Sequence, residues 1–422
     1  MHQTQYLIVG ASHAALAAVQ AIRMHDQSGS MTVVSKDNAL PYSPTVLPYV
    51  VSRRSDPKRV FLRDDAYFKD SNVDYLRGAA VSVLSAGKNS VRLTSGAEIG
   101  YQKLLLATGA APLLPPVPGL DSVNYHVLRS LDDAVRLQQA LAGARHAIVL
   151  GAGLVGMHAA ENLVKAGVQV TVIEMQPTVL GGYFDRDASA IIESVFTAQG
   201  VGLVLGNKVV RLAPNPDQKG NNGGARVTLA DGTELAADLL LVATGVAPVI
   251  EFLAGAGIAT ERGILVDDTM RTTVANIWAA GDVAQARGFY DSGARIINGI
   301  LPDAVEQGRI AGMAMAGDPA QKSYPGGVPL NTYSFFGQQA VSVGSHNDGE
   351  VALLELDPAR NRYLKIVLKD GRLTGIFGIN VGFDPGVMWE LILRRTDLAP
   401  LREKFLAEPQ GTARHLMSTT WR

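Results

Sequence analysis

Short apolar runs recur along this chain, each ending at a glycine-rich turn, and they come in two sets that follow the same order. In the first set residues 6–15 read YLIVGASHAA; in the second, residues 147–156 read AIVLGAGLVG. An apolar run closed by glycine predicts a buried strand, and the alanine- and leucine-rich stretch after each turn predicts a helix. A second apolar strand follows at 31–35 and again at 169–175. Each set therefore predicts a β–α–β unit with a parallel sheet and a right-handed crossover. Further on, 90–112 (SVRLTSGAEIGYQKLLLATGAAP) matches 226–248 (RVTLADGTELAADLLLVATGVAP) without a gap. Alternation around Ser95-Gly96 and Asp231-Gly232 predicts a hairpin in each copy. The unbroken apolar stretches 104–107 and 239–243 suit the buried centre of a sheet. Two copies of one architecture in one order mean a domain duplication, not a solenoid.

From about Tyr324 the pattern changes. Alternating strands are expected at 340–343, 351–356, 363–368 and 373–377, then a helical tail from Pro385. The polar, glycine-rich stretch 214–224 reads as an exposed loop between strands. Proline-rich 112–119 and the matching stretch after Pro248 are the better domain boundaries. The expected fold class is α/β, with two tandem doubly wound dinucleotide-binding (Rossmann-like) domains and a C-terminal α+β domain.

Composition narrows the chemistry. Glycine reaches 44 of 422 residues, an excess that asks for tight turns and close backbone approach. The net charge of −1 gives no field for nucleic acid or an anionic membrane surface. Cysteine is absent, which excludes disulfides, thiolate metal ligands and cysteine-held iron–sulfur clusters within this chain. The eight histidines show no metal spacing, so no metal site is expected. With no basic leader before Tyr6 and no apolar stretch long enough to span a bilayer, a cytoplasmic protein is expected.

The second glycine turn carries the stronger motif. Gly151, Gly153 and Gly156 follow a strand and open a helix, with Leu154 and Val155 on its first turn. The first glycine turns the chain, the second lets a pyrophosphate approach, and the third lets helix and strand pack closely. The phosphates then meet the positive helix N-terminus. Glu174, 23 residues after Gly151, stands where a carboxylate accepts hydrogen bonds from a ribose 2′-hydroxyl, so NAD(H) is expected over NADP(H). Thr244-Gly245 closes the second apolar strand beside this turn. The first turn is degenerate: Gly10 is kept, Ser12 replaces the second glycine and Ala15 the third, with His13 and Ala14 between. Ser35-Lys36 stands where an acidic residue is expected.

Two glycine turns, two Ala-Thr-Gly strands (Ala107-Thr108-Gly109 and Ala243-Thr244-Gly245) and Ala279-Ala280-Gly281-Asp282 resemble the pyridine nucleotide–disulfide oxidoreductase superfamily. The resemblance implies FAD on the first turn and NAD on the second. It then divides the chain into an FAD domain (1–115 and 247–323), an NAD domain (116–246) and a C-terminal interface domain (324–422). It places Gly10, Ser12, His13, Ala14, Ala15, Ser35, Lys36, Thr108, Gly109, Gly281 and Asp282 around FAD, with Asp282 on the ribityl chain. The segment from Ala304 to Arg309, with Glu306 and Gln307, would begin the helix whose N-terminus faces the flavin pyrimidine, and Pro44 and Thr45 would line the flavin. Within the superfamily, LPYSPTVLPYVVS (40–52), LGAGLVGMHAAENLVKAG (150–167), GMAMAGDP (312–319) and LILRRTDL (391–398) are similar to FAD subunits of NADH-dependent 2-oxoacid dehydrogenases of the phenylglyoxylate type. Those subunits work beside partners that carry iron–sulfur clusters and thiamine diphosphate.

The departures bear on mechanism. Disulfide-using relatives carry a nucleophilic cysteine where Thr45 stands, so thiol chemistry is excluded here. His158 replaces a glutamate frequent in relatives, while Glu161 is retained. No side chain is assigned a catalytic role, since hydride transfer needs nicotinamide C4 within roughly 3–3.5 Å of flavin N5 and no acid or base. His13 reads as a packing or pyrophosphate neighbour without a paired carboxylate, and His158 as a satisfied helix residue. Three functions remain open: an electron-transfer subunit of a 2-oxoacid dehydrogenase complex, a free-standing NADH:ferredoxin-type reductase or NADH oxidase, and an inert flavin-binding scaffold.

Overall fold

The computed structural model describes residues 2–215, 224–290 and 293–420; most of the loop expected at 214–224 lies outside them. The chain forms two compact units. One comprises Met1–Ser43, Lys58–Ala111 and Val246–Gly327; the other comprises Pro44–Pro57, Pro112–Gly245 and Val328–Arg422.

In the first unit the parallel strands run in the order Val73–Leu76, Met31–Val34, His2–Val9, Glu98–Leu106 and Ile277–Ala279. Ile8 pairs with Val33 on one side and Leu105 on the other. Leu7, Ile8, Leu104, Leu105 and Leu106 are fully buried, as continuous apolar strands covered on both faces must be. The long strand Glu98–Leu106 serves two neighbours on one side. Its first residues pair antiparallel with Ser90–Leu93, and its last pair in parallel with Ile277–Ala279. The helix His13–His25 lies against the helix Leu301–Ala316. A Cβ on Gly308 would come 2.1 Å from the Ala14 carbonyl oxygen, and one on Gly312 would come 2.7 Å from that of Ala18. The two helices therefore meet backbone to backbone, which is why the buried face of the first is largely alanine.

The second unit holds an all-parallel sheet in the order Gly202–Val204, Gln169–Ile173, His146–Leu150, Leu239–Val242, Tyr125–His126. Beside it is a separate antiparallel sheet of Val209–Pro214, Ala225–Leu229 and Glu234–Ala237. The fold class expected from the pattern is the one found: parallel α/β sheets built as two Rossmann-like domains. The C-terminal residues form a five-stranded antiparallel sheet, ordered Leu330–Phe335, Gln338–Gly344, Arg372–Ile379, Arg362–Lys369, Glu350–Asp357, followed by the helices Pro385–Leu393, Arg402–Ala407 and Pro409–Thr420. Its first strand escaped the sequence reading. The turn before Gln338 is Phe336-Gly337, both at positive φ (44° and 80°), a hairpin turn in which phenylalanine occupies a place that glycine or asparagine signals. Within this unit the sheet is clipped to the helix Arg186–Ala198 by Asp185. Its carboxylate accepts from the Tyr363 hydroxyl, from Lys365 Nζ at 3.2 Å and from the Ala188 amide at 3.2 Å. Among the described residues no helix is long and apolar enough to cross a membrane.

Candidate nucleotide cradles

The first glycine turn is held by its neighbours. The Gly10 amide donates to the Val34 carbonyl at 2.8 Å, and φ at Gly10 is 115°. A Cβ there would sit 2.0 Å from the Ala107 carbonyl oxygen, so only glycine fits. Ser12 caps the helix His13–His25 with an extended backbone, yet its exposed side chain makes no capping bond. The first-turn N–H groups of that helix have no intrahelical acceptors. Ala14 and Ala15 are buried. Gly281 packs against Ala14, a Cβ there falling 3.3 Å from that of Ala14. Thr108 and Gly109 are tied to the returning segment: Thr108 Oγ1 donates to the Val249 carbonyl at 3.0 Å, and the Val249 amide donates to Gly109 at 3.0 Å. Ser35 is buried and its hydroxyl accepts from the Asp37 amide at 3.2 Å, while Lys36 is exposed.

His13 differs from its expected surroundings. Its Nε2 lies 3.1 Å from Ser43 Oγ, and a carboxylate does face it: Asp282. Burial pushes the imidazolium below its ordinary range, and Asp282 pulls it partly back. Sequence spacing could not show this, because Asp282 reaches His13 only after the chain returns from the second unit. Glu306 and Gln307 sit on the helix Leu301–Ala316, which begins three residues earlier than expected. Glu306 forms a half-exposed pair with Arg309, whereas Gln307 is buried and its Oε1 accepts from the Gly281 amide at 2.9 Å.

In the second unit Gly151 repeats the device, with φ 105°, its amide donating to Ile173 at 2.8 Å, and a Cβ that would lie 2.4 Å from the Ala243 carbonyl oxygen. A Cβ on Gly156 would come 2.0 Å from the Gly151 carbonyl oxygen, so the third glycine is fixed by helix packing. Gly153 is different. It caps the helix Leu154–Lys165 at φ −75°, and a Cβ there would meet no protein atom within 4 Å. No protein atom demands glycine at 153, and a residue without a Cβ leaves the helix N-terminus open to close approach. Leu154 is half-buried and Val155 exposed at the same end. Glu174 stands at this opening with one carboxylate oxygen accepting from the Ala152 amide at 2.7 Å and the other from the Gln176 amide at 2.8 Å. Thr244 and Gly245 are linked to Leu113, and Gly245 has φ 114° with open space beside it. These features fit a dinucleotide pyrophosphate at 151–156. The outward hydroxyl of Ser12 and the helix end at His13 fit one at 10–15.

Pro44 and Thr45 open a short 3-10 turn, Pro44–Val46, in the second unit, followed by the helix Leu47–Val51. That helix brings Tyr49 edge-on to His158, with ring centroids 6.3 Å apart. On its other side His158 meets Tyr333 edge-on at 4.7 Å. Burial lowers the His158 pKa against the opposing charge of Glu161, and its Nε2 is buried without a hydrogen-bond partner. The expectation of a satisfied histidine thus fails at one nitrogen. Glu161 itself accepts from the Phe336 amide at 2.8 Å and from Lys165. Among the described residues no group of three or more metal-binding side chains comes together.

The two cradles, built on strand–glycine turn–helix units, define a class. The chain belongs to the pyridine nucleotide-disulphide oxidoreductase family, whose model matches residues 4–309. It is an oxidoreductase that uses FAD and NAD(H). Over its whole length it is 56% identical, across 425 residues, to the NADH-dependent phenylglyoxylate dehydrogenase subunit epsilon of Aromatoleum evansii, covering 99% of that protein. It is 29% identical over 393 residues to the ferredoxin–NAD(+) reductase component of the biphenyl dioxygenase system of Paraburkholderia xenovorans, covering 93% of this chain and 94% of that one. The fold matches putidaredoxin reductase, solved in its covalent complex with putidaredoxin, with a TM-score of 0.86 over 99% of both chains at 23% identity.

Proposed function

We propose that this chain is the flavoprotein subunit passing electrons between NAD(H) and iron–sulfur partner subunits of a 2-oxoacid dehydrogenase complex of the phenylglyoxylate type. The observation that carries this reading is the 56% identity to the Aromatoleum subunit, which runs through the C-terminal module as well as both cradles. The absence of cysteine supports it: the chain cannot hold an iron–sulfur cluster on thiolates of its own, so a one-electron carrier must come from elsewhere.

In this reading the turn at Gly10–Ala15 binds FAD and the turn at Gly151–Gly156 binds NAD(H). When bound, FAD exchanges a hydride with nicotinamide and single electrons with one-electron partners. The protein supplies position. Gly10 and Gly151 turn the backbone so that helix N-termini meet pyrophosphate, Asp282 offers a carboxylate to the ribityl hydroxyls, and Glu174 selects a free ribose 2′-hydroxyl. Thr45, lacking a thiol, leaves the flavin without a covalent relay.

Purification from the native source with identification of bound subunits tests the proposal. Co-purification with iron–sulfur and thiamine diphosphate subunits is expected; a chain that emerges alone refutes it. A free-standing NADH:ferredoxin-type reductase is the second reading, favoured by the 29% match that covers 93% of this chain. Rapid NADH oxidation by the isolated chain with a small ferredoxin would select it.

A further inference from the structure

Resting on the assignment of FAD to the Gly10–Ala15 turn and Asp282, we propose that Asp303 is a positioning residue: it anchors a one-way hydrogen-bond relay through Tyr324 and Gln307 that sets the Gly281-Asp282 turn against the flavin. The three side chains are almost wholly buried, at 2%, 1% and 2% exposure for Asp303, Tyr324 and Gln307. Their bonds all run in one direction. The Gly281 amide donates to Gln307 Oε1 at 2.9 Å, and Gln307 Nε2 donates to the Tyr324 hydroxyl at 3.3 Å. Tyr324 then turns its proton to the Asp303 carboxylate, which also accepts from Asn298 Nδ2. Gly327 packs tightly against this end: a Cβ there would sit 2.6 Å from Asp303 Oδ2 and 2.9 Å from Asn298 Nδ2. The chain thus begins at the Gly281 amide, one residue before Asp282, and ends on an acid that has two donors aimed at it.

That ending makes the relay sensitive to one proton. An ionised Asp303 accepts from both donors; once protonated, one of its oxygens carries a hydrogen in place of an incoming bond, and one of the two donors loses its acceptor. Burial raises the Asp303 pKa to about 7, with Asn298 and Tyr324 pulling it back and Glu306, one turn along the helix, raising it further. Of the other charged groups around the relay, Arg287 binds the Tyr324 carbonyl at 2.8 Å and pairs with Asp268 at 3.3 Å. His13 and Asp282 flank the turn itself, and His13 titrates below its ordinary range. Asp303 is therefore the group that changes charge near neutrality, and FAD is held more tightly on the alkaline side of that change.

The test is FAD affinity of the apoprotein, measured by flavin fluorescence across pH 6 to 8, for the wild type, Asp303→Asn, Tyr324→Phe and Asp282→Ala. Wild-type affinity is expected to inflect near pH 7, where Asp303 titrates. Asp303→Asn should remove the inflection and weaken FAD about tenfold on the alkaline side, the loss of one charge-assisted buried hydrogen bond. Tyr324→Phe keeps the ring volume and cuts the relay in its middle. It should weaken FAD similarly and move the inflection upward, because Asp303 loses a donor. Should Asp303→Asn fail to fold, Tyr324→Phe decides alone. Wild-type affinity and inflection retained in both variants overturn the relay. If Asp282→Ala weakens FAD while these two do not, only the relay falls; if Asp282→Ala also leaves FAD unchanged, the assignment of the cradle falls with it.

Discussion

Gly151 and Gly153 lie two residues apart in one motif, and the structure separates their roles. At Gly151 a Cβ meets the backbone oxygen of Ala243 at 2.4 Å, and φ is 105°. Alanine there suffers backbone strain of about 1–3 kcal/mol, and the clash adds to it. Gly151→Ala should therefore lose about 3 kcal/mol or more of folding stability. At Gly153 the backbone is ordinary and the space is open. Alanine is a poorer helix cap than glycine by roughly 1 kcal/mol. The smaller entropy of the unfolded chain returns about 0.4–1 kcal/mol. Gly153→Ala should thus fold with stability within about 1 kcal/mol of the wild type while its new methyl occupies the space of the pyrophosphate. NADH should bind at least tenfold more weakly, about 1.4 kcal/mol, with FAD content unchanged. Urea unfolding, visible absorbance and NADH titration of the two variants separate these effects. A Gly153→Ala protein that binds NADH as the wild type does would refute the claim that 153 is glycine for the sake of a ligand.

Further outcomes follow from the same geometry. Glu174→Ala removes two bonds to backbone amides and, in the proposed reading, the ribose acceptor; the preference for NADH over NADPH should then shrink by about tenfold or more, with FAD retained, as read from the two Kd values. Gly308→Ala drives a methyl into the Ala14 carbonyl, and should cost at least about 2 kcal/mol and reduce FAD loading, as seen in thermal melts and in the flavin-to-protein ratio. His158 has a folded pKa below its unfolded one. The unfolded chain therefore binds the proton first, and stability is lost as pH falls through about 6.5. His158→Leu should stay within about 1 kcal/mol of the wild type at pH 8 and lose less than it on acidification; equal acid sensitivity would show that this ring does not matter.

Much of the fold was legible because duplication repeats its own evidence. The strands at Tyr6 and Ala147 each announce a parallel sheet, and Gly10 and Gly151 take the positions that strand–turn–helix geometry demands. The strand–turn–helix at Gly151–Gly156 was legible for the same reason. What escaped was decided by the third dimension. Asp303, Gln307 and Tyr324 follow no motif spacing, and their link to Gly281 exists only once the helix Leu301–Ala316 is docked. The strand Leu330–Phe335 was hidden by a phenylalanine at positive φ. The placement of Pro44–Pro57 in the second unit has no local signal either, since nothing in that stretch names Gln138 as the neighbour of Val50 or His158 as that of Tyr49.

The backbone-close crossing of His13–His25 with Leu301–Ala316 also constrains how the protein is made. A ribosome releases the alanine face of the first helix long before it reaches its partner: roughly 290 residues separate them, about 15–60 s of synthesis at ~5–20 residues per second. For that interval the nascent first unit has a bare groove where Gly308 and Gly312 will later lie, while the intervening 112–245 are already available to assemble their own parallel sheet. Vectorial synthesis therefore favours the second cradle maturing first, and the first cradle is completed only when nearly the last quarter of the chain is being made.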